Sequence, residues 1–337
     1  MEMVHFLTRP HPFCLASATT QGEGKRGRGP APPSAPGAET KNRPPTQKKI
    51  IMGATETDIL VDIPEDDLPK LAEMYEPHKE WAPHAYSIIK TGIEWRQKGN
   101  NKLLFMSPNN CWKKDGTFFV LMQYYSIDIF VFTLDDSGEN AYEAMLNTRR
   151  FNISYTDRLP LLYSVHRKLH PVLMKAIKDR QGIIEIATPC YMYSISKEKA
   201  MEFDIECPPD VYIKKLDPSH ASTVNSVWPH RYSNSEKFVA FLLTMNDGYG
   251  VFLKSNDELV SWIIVTMLGQ LGLLQTKEAH KKKGYAALVT RQLSKKIAEK
   301  GFNVFGTVLV NNVASIRLFE KLGFRSLEKS VYTIFSL

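Results

Sequence analysis

The residues best suited to chemistry lie in one turn, Lys281-Lys282-Lys283-Gly284. An apolar strand, Leu271 to Thr276, leads into it, and an amphipathic helix leaves it. In that helix Tyr285, Val289, Leu293 and Ile297 recur at i+4 spacing and give one apolar face. A strand, a glycine turn and a helix N-terminus together make an anion site. The first-turn N–H groups have no partner inside the helix, and the helix dipole favours negative charge there. Three lysines add positive charge. The same residues also fit a solvated lysine run at an ordinary strand-to-helix turn, and the turn alone does not choose between the two.

The elements that must position this turn follow from periodicity and punctuation. At 337 residues the chain is long for one domain and suits two. Residues 1–56 form a basic tail, and Gln21 to Pro45 is rich in Gly, Pro and Ala with few bulky apolar side chains, so it is predicted to be disordered. Met52-Gly53 would fit an N-myristoylation pattern only if Met52 were a start site. Residues 58–204 read as one α/β block. Helices are predicted from Asp66-Asp67-Leu68, over His84 to Gln97 and near Ala141–Asn147, and strands over Leu103–Met106, Thr117–Tyr124 and Ile127–Leu134. Pro160 to Lys178 reads as a helix with Leu162, Val165, Leu169, Leu173 and Ile177 in register. His166 and His170 would then be solvated one turn apart, with no third ligand for a metal. Ile183–Ile186 and Cys190–Ile195 read as two strands.

Cys207-Pro208-Pro209 marks a boundary, and residues 205–337 repeat the same α/β grammar. Val211–Leu216, Gly250–Lys254, Leu259–Met267, Leu271–Thr276, Val304–Val310 and Ser330–Phe335 are strands. Helices open at Asp217-Pro218 and at Ser233 or Ser235, follow Gly284, and span Val313–Leu322. Trp228 and Trp262 suit the core.

The formal charge is +7 but is unevenly placed. Residues 1–50 hold eight basic and three acidic residues, a net +5, which leaves +2 for the rest. The remainder is nearly neutral, which argues against a nucleic-acid partner. The four cysteines, Cys14, Cys111, Cys190 and Cys207, lack zinc or redox spacing and suit a reducing compartment. No apolar run reaches the ~18 residues of a membrane span.

Two motifs then make the turn specific. Lys281-Lys282-Lys283-Gly284-Tyr285-Ala286 is similar to the signature Q/R-x-x-G-x-G/A, with lysine where Arg or Gln is usual. Asn312-Val313-Ala314-Ser315-Ile316-Arg317-Leu318-Phe319-Glu320-Lys321-Leu322-Gly323-Phe324 is similar to N-x-x-A-x-x-L-Y-x-x-L-G-F and follows about 28 residues later. The chain thereby resembles the GNAT superfamily of acyl-CoA-dependent N-acyltransferases. Leu216-Asp217-Pro218-Ser219-His220-Ala221 and Val224-Asn225-Ser226-Val227-Trp228 narrow the resemblance to glycine N-acyltransferase-like proteins and the FR47-like grouping. It covers about residues 58–337 and is most specific from Val211 onward.

The resemblance implies an α+β chain. A C-terminal GNAT fold, a splayed mixed sheet flanked by helices, would follow a degenerate GNAT-like α/β block. Acyl-CoA is the implied co-substrate, its pantetheine arm lying between the strands Leu271–Thr276 and Val304–Val310. Leu273, Leu274, Gln275 and Thr276 would offer backbone groups to it, and Lys281, Lys282, Lys283, Gly284, Tyr285 and Ala286 would hold the diphosphate. Asn312 would bond near the pantetheine, with Ser315 one turn on; as a plain helix cap Asn312 would serve equally. The implied acceptor is a small amine, glycine or another amino acid. No metal, nucleic acid or membrane partner is implied, and the expectation is a monomer in the cytoplasm or, alternatively, the mitochondrion.

Catalysis of this kind needs a neutral amine, a polarised carbonyl and a protonated leaving thiolate. The position matched to the family's glutamate base is Gln270, and the position matched to its leaving-group tyrosine is Phe319. A neutral amide accepts no proton and phenylalanine has none to give. Glu278, His280 or a water chain would be the substitutes. The residues thus leave two expectations open, a working acyltransferase and a protein that binds acyl-CoA without turning it over.

Overall fold

The computed structural model describes residues 58–124, 127–151 and 158–337, so the basic tail, Cys14 and the Met52-Gly53 pattern lie outside the described residues. In the first half, β1 (Leu60–Asp62), α1 (Leu68–Tyr75) and α2 (Pro83–Gln97) precede β2 (Leu103–Pro108), α3 (Trp112–Asp115), β3 (Phe118–Gln123) and β4 (Ile127–Phe132). Then come α4 (Glu139–Asn147), β5 (Leu161–His166), α5 (His170–Asp179), β6 (Ile183–Ile195) and α6 (Lys197–Met201). The second half runs β7 (Val211–Lys215), α7 (Ala221–Ser226), α8 (Ser235–Met245), β8 (Gly248–Leu253), β9 (Leu259–Val265) and β10 (Leu271–Thr276). It ends with α9 (Tyr285–Glu299), β11 (Val304–Leu309), α10 (Val313–Lys321) and β12 (Arg325–Ser336).

The twelve strands form one sheet, in the order β1-β2-β3-β4-β5-β12-β6-β11-β10-β9-β8-β7. Read from the other edge, each strand of one half occupies the place of its counterpart in the other. β4 with β5 and β10 with β11 are parallel, and the other ladders among the described residues are antiparallel. The last strand of each half is exchanged. β6 lies between β11 and β12, and β12 lies between β5 and β6. Helices α1, α2, α7 and α8 cover one face around Trp95, Phe130, Trp228, Trp262 and Tyr332. On the other face α9 and α10 pack on Val260, Leu271, Val304 and Val308. The halves are tied across the first face: Trp95 Nε1 donates to Asn246 Oδ1 at 2.8 Å, and the Trp95 ring meets Phe241 edge-on at 5.0 Å.

Several boundaries differ from the sequence reading. Pro160 to Lys178 is not one helix but β5, a turn and α5. Leu161 to His166 is buried on both faces, so its apolar run carries no period and mimics a helical register. Pro171, at the start of α5, marks where the helix can begin. His166 and His170 are therefore not solvated helix neighbours. His166 is buried at the end of β5, and His170 Nε2 lies 3.1 Å from Thr333 Oγ1. The two short strands at 183–195 are one long strand, because Pro189 keeps its carbonyl in the ladder, accepting Val310 N–H at 3.3 Å. The short elements β1 and α3 gave no periodic signal and were not expected. Asn234, rather than a serine, occupies the cap position of α8.

His84, fully buried on α2, stacks on His166 at 5.9 Å and meets Phe130 and Phe132 edge-on. Neither of its ring nitrogens has a hydrogen-bond partner among the described residues. Burial, and then His166 beside it, hold His84 well below the usual imidazole range. Burial likewise pushes His166 down to about 4. Both rings are neutral in the fold, whereas an unfolded histidine protonates near pH ~6.5. Stability from the pair is thus fully present above about pH 6.5 and is lost as pH falls toward the folded values, at up to about 1.4 kcal/mol per pH unit for each histidine. His84→Phe keeps the ring contacts and removes one proton site. Urea unfolding of this variant is expected to lose one histidine's share of the slope between about pH 6.5 and 4.5. A slope equal to that of the parent protein would contradict this account.

Candidate functional site

β10 and β11 pair at Leu271↔Gly306 and then part. The cause lies in β10 itself. Against β9 it pairs Gly272↔Ile264 and next Gln275↔Trp262, so one extra residue is bulged out. Leu273 takes a left-handed conformation there, φ 50°, which a leucine adopts at a cost of about 1–2 kcal/mol. The bulge turns the strand away from β11. Among the described residues the β10 edge beyond Leu271 has no strand partner on that side, so its amide groups could meet an extended ligand.

The turn after β10 has a backbone that can receive an anion. Lys282 and Gly284 both have positive φ, 61° and 85°, and Gly284 is the cap residue of α9. Turns of this kind aim successive N–H groups to one side. Among the described residues no side chain accepts from the first-turn N–H groups of α9, and an atom placed at a Gly284 Cβ would meet nothing within 4 Å. Lys281 is engaged by Glu278 at 2.5 Å and Lys277 by Glu258 at 2.9 Å. Lys282 and Lys283 are exposed and pair with no carboxylate among the described residues.

The matching turn of the first half is closed. Gly138 caps α4 with φ 66°, but Asp135 Oδ2 accepts the Gly138 N–H at 3.0 Å and Ser137 Oγ accepts that of Glu139 at 3.2 Å. A carboxylate of the chain already holds the place an anion would take.

The other expected contacts divide. Leu273 and Leu274 are buried in the bulge, while Gln275 and Thr276 are half-buried, with Thr276 Oγ1 2.8 Å from Ser261 Oγ. Tyr285 points inward and donates to Asp210 Oδ2 at 3.0 Å, so its backbone rather than its ring faces the turn. Ala286 is half-buried in the first turn of α9. Asn312 Oδ1 accepts Ser315 N–H at 3.1 Å, which makes Asn312 the cap of α10; both residues are buried.

Gln270 lies one residue before β10 and is fully buried. Its Nε2 donates to the Tyr332 hydroxyl oxygen at 3.3 Å, and Thr307 Oγ1 lies 3.5 Å from its Oε1. Thr307 and Tyr332 were missed in the sequence, where Thr307 is one polar residue inside an apolar strand and Tyr332 is one of several polar residues in a mixed one. Phe319 is buried on the opposite face, close to Gly306 and with its ring centroid 5.8 Å from that of Tyr193. Glu278 and His280 sit beyond the far end of β10, about 20 Å of strand from Gln270, and do not join it. Among the described residues no group of three or more His, Cys, Asp or Glu is placed to hold a metal ion, and no helix is long and apolar enough to cross a membrane.

Gly284 and Gly301 provide a matched test of the turn, because both have φ above 80° and open space around the Cβ position. Each valine variant should lose about 1–2 kcal/mol of stability through backbone strain. Gly284→Val should also weaken CoA binding at least about tenfold in calorimetric titration, since the backbone can no longer be approached closely. Gly301→Val should bind CoA as the parent does. Equal affinity in both variants would overturn the placement of the anion site.

Residues 248–333 match the family model of FR47-like proteins, and residues 59–176 match a domain of unknown function (DUF5645). No curated protein matches the chain. A solved Drosophila protein superposes with a TM-score of 0.75 at 19% identity, over 82% of this chain and 98% of that one. A tandem GNAT protein from the clavulanic acid biosynthesis pathway superposes with a TM-score of 0.52 at 10% identity, over 82% of this chain and 97% of its own. At such identities the likeness is one of fold, and it agrees with the mixed, helix-flanked sheet and its preceding helix and strand block. The FR47-like match thus covers β8 to β12, and the fold of the chain is similar to that of the tandem GNAT protein.

Proposed function

We propose that this protein transfers an acyl group from acyl-CoA to the amine of a small acceptor, with glycine or another amino acid the first candidate. One observation carries the reading. An open anion turn with two unpaired lysines stands at the end of a strand that has parted from its neighbour. A CoA diphosphate suits the turn, and the amides of a pantetheine arm suit the bare strand edge. The lysines act as point charges on the phosphates, without the two-pronged contact an arginine makes.

A second reading has its own support. Gln270 takes no proton and Phe319 gives none, which fits a protein that holds acyl-CoA and does not transfer it. The two readings differ in turnover. The full chain is incubated with acetyl-CoA and longer acyl-CoAs against a panel of amino acids and arylalkylamines, and free CoA is followed. Amine-dependent release of CoA is expected. Binding of CoA without release across the panel would overturn the transfer reading and support the second. Gln270→Glu should raise the rate at least about tenfold, because a carboxylate restores a base where the amide has none. No gain would mean that the missing carboxylate is not what limits the rate.

A further inference from the structure

The parting of β10 and β11 lacks the expected carboxylate and phenol, yet it is not without a hydroxyl that can move a proton. Tyr332, on β12, reaches across β6 and meets Thr307 of β11 with 2.8 Å between oxygens. Thr307 directly follows Gly306, the β11 residue paired with β10. Gln270 Nε2 donates to the Tyr332 oxygen at 3.3 Å, and Thr307 Oγ1 lies 3.5 Å from Gln270 Oε1. Only a hydroxyl can donate to Gln270 Oε1, so Thr307 gives its proton there and Tyr332 gives its own to Thr307. The three groups close a ring, each at most 1% exposed. The Tyr163 ring backs it at 5.0 Å from the ring of Tyr332. In so apolar a setting the hydrogen bonds polarise one another. Phe319 is on the other face of β11, so even a hydroxyl there would approach from the opposite side.

We infer that Tyr332 carries the proton in this cleft, with Thr307 as its relay and Gln270 orienting both; this rests on the acyl-CoA reading above. As the amine nitrogen bonds to the thioester carbonyl carbon, the carbon–sulfur bond breaks and its electron pair stays on sulfur. Sulfur takes the phenolic proton of Tyr332. The proton lost by nitrogen returns to Tyr332 through Thr307, so the products are the amide and the free thiol, and the protein is unchanged.

The test reads the thiol first, so that it does not depend on turnover. The full chain is loaded with CoA, and the ultraviolet absorbance of the thiolate is titrated against pH, with desulfo-CoA as the blank. A donor at sulfur favours the thiolate, so the bound thiol should titrate about one pH unit or more below free CoA. Tyr332→Phe should return it to the free value, with CoA affinity within about threefold of the parent and kcat down about a hundredfold at constant KM. Thr307→Val keeps the branched shape in the strand and leaves Tyr332 free to face sulfur. It should retain the lowered thiol value and lose kcat. Equal thiol titration in the parent and Tyr332→Phe, with CoA bound, would overturn the assignment of Tyr332 and leave the acyl-CoA reading standing. Full turnover by Thr307→Val would overturn the relay. Failure of the parent to bind CoA would overturn the cofactor reading and this inference together.

Discussion

A parallel strand pair that joins at one point and then separates is costly unless something holds each strand from outside. β10 and β11 meet at Leu271↔Gly306 and nowhere else among the described residues. β9 holds β10 on one side through an antiparallel ladder with a single bulge. β6 holds β11 on the other side, pairing from Val304↔Ile195 to Leu309↔Cys190 without interruption. The gap exists because the β6–β11 ladder runs on regularly while the bulge against β9 turns β10 away from β11. The left-handed Leu273 concentrates the irregularity at one residue, where the surrounding core over-determines the strained backbone.

The strand that holds β11 comes from the first half of the chain. β6 and β12 are exchanged, so neither half completes its own sheet. This gives the first half a use even though its own anion turn is closed by Asp135. The two turns show how little separates an open turn from a closed one. Both have a glycine cap in the left-handed region, where a residue with a Cβ would be strained. In one, Asp135 accepts the Gly138 N–H and Ser137 that of Glu139. In the other, no side chain among the described residues does, and Lys282 and Lys283 pair with no carboxylate among them.

Much of this was legible in the sequence, and the reason is local. The turn Lys281–Gly284, the face Tyr285-Val289-Leu293 and the stop at Gly323-Phe324 are each set by neighbours within a few residues. Phe324 N–H indeed closes on Phe319 O at 3.0 Å, behind Gly323 at φ 84°. β5 was not legible, because Leu161 to His166 is buried on both faces and its polar residues, Ser164 and His166, are buried with the rest, so no polar face marks its period. Strand exchange left no local trace either. A strand pairs through its backbone, and nothing in Ile183–Ile195 or Arg325–Ser336 names its partner. Thr307 and Tyr332 were missed for the same reason. They lie 25 residues apart in the chain and meet only because β12 crosses into the first half of the sheet.

Exchange also sets how long a side chain on β12 must be to reach Thr307. Were β12 next to β11, the residue at the level of Thr307 would be held in an adjacent ladder and its side chain would stand beside Thr307 rather than lean over an intervening strand. With β6 between them, Tyr332 pairs with Thr188, and Thr307 pairs with Met192, four residues along β6. A tyrosine is long enough to span that offset across Cys190 and Met192, whose side chains share its core. A shorter hydroxyl at the same position would not meet Thr307. The geometry that costs each half its last strand therefore selects a long side chain at position 332, and the ring with Gln270 follows from it.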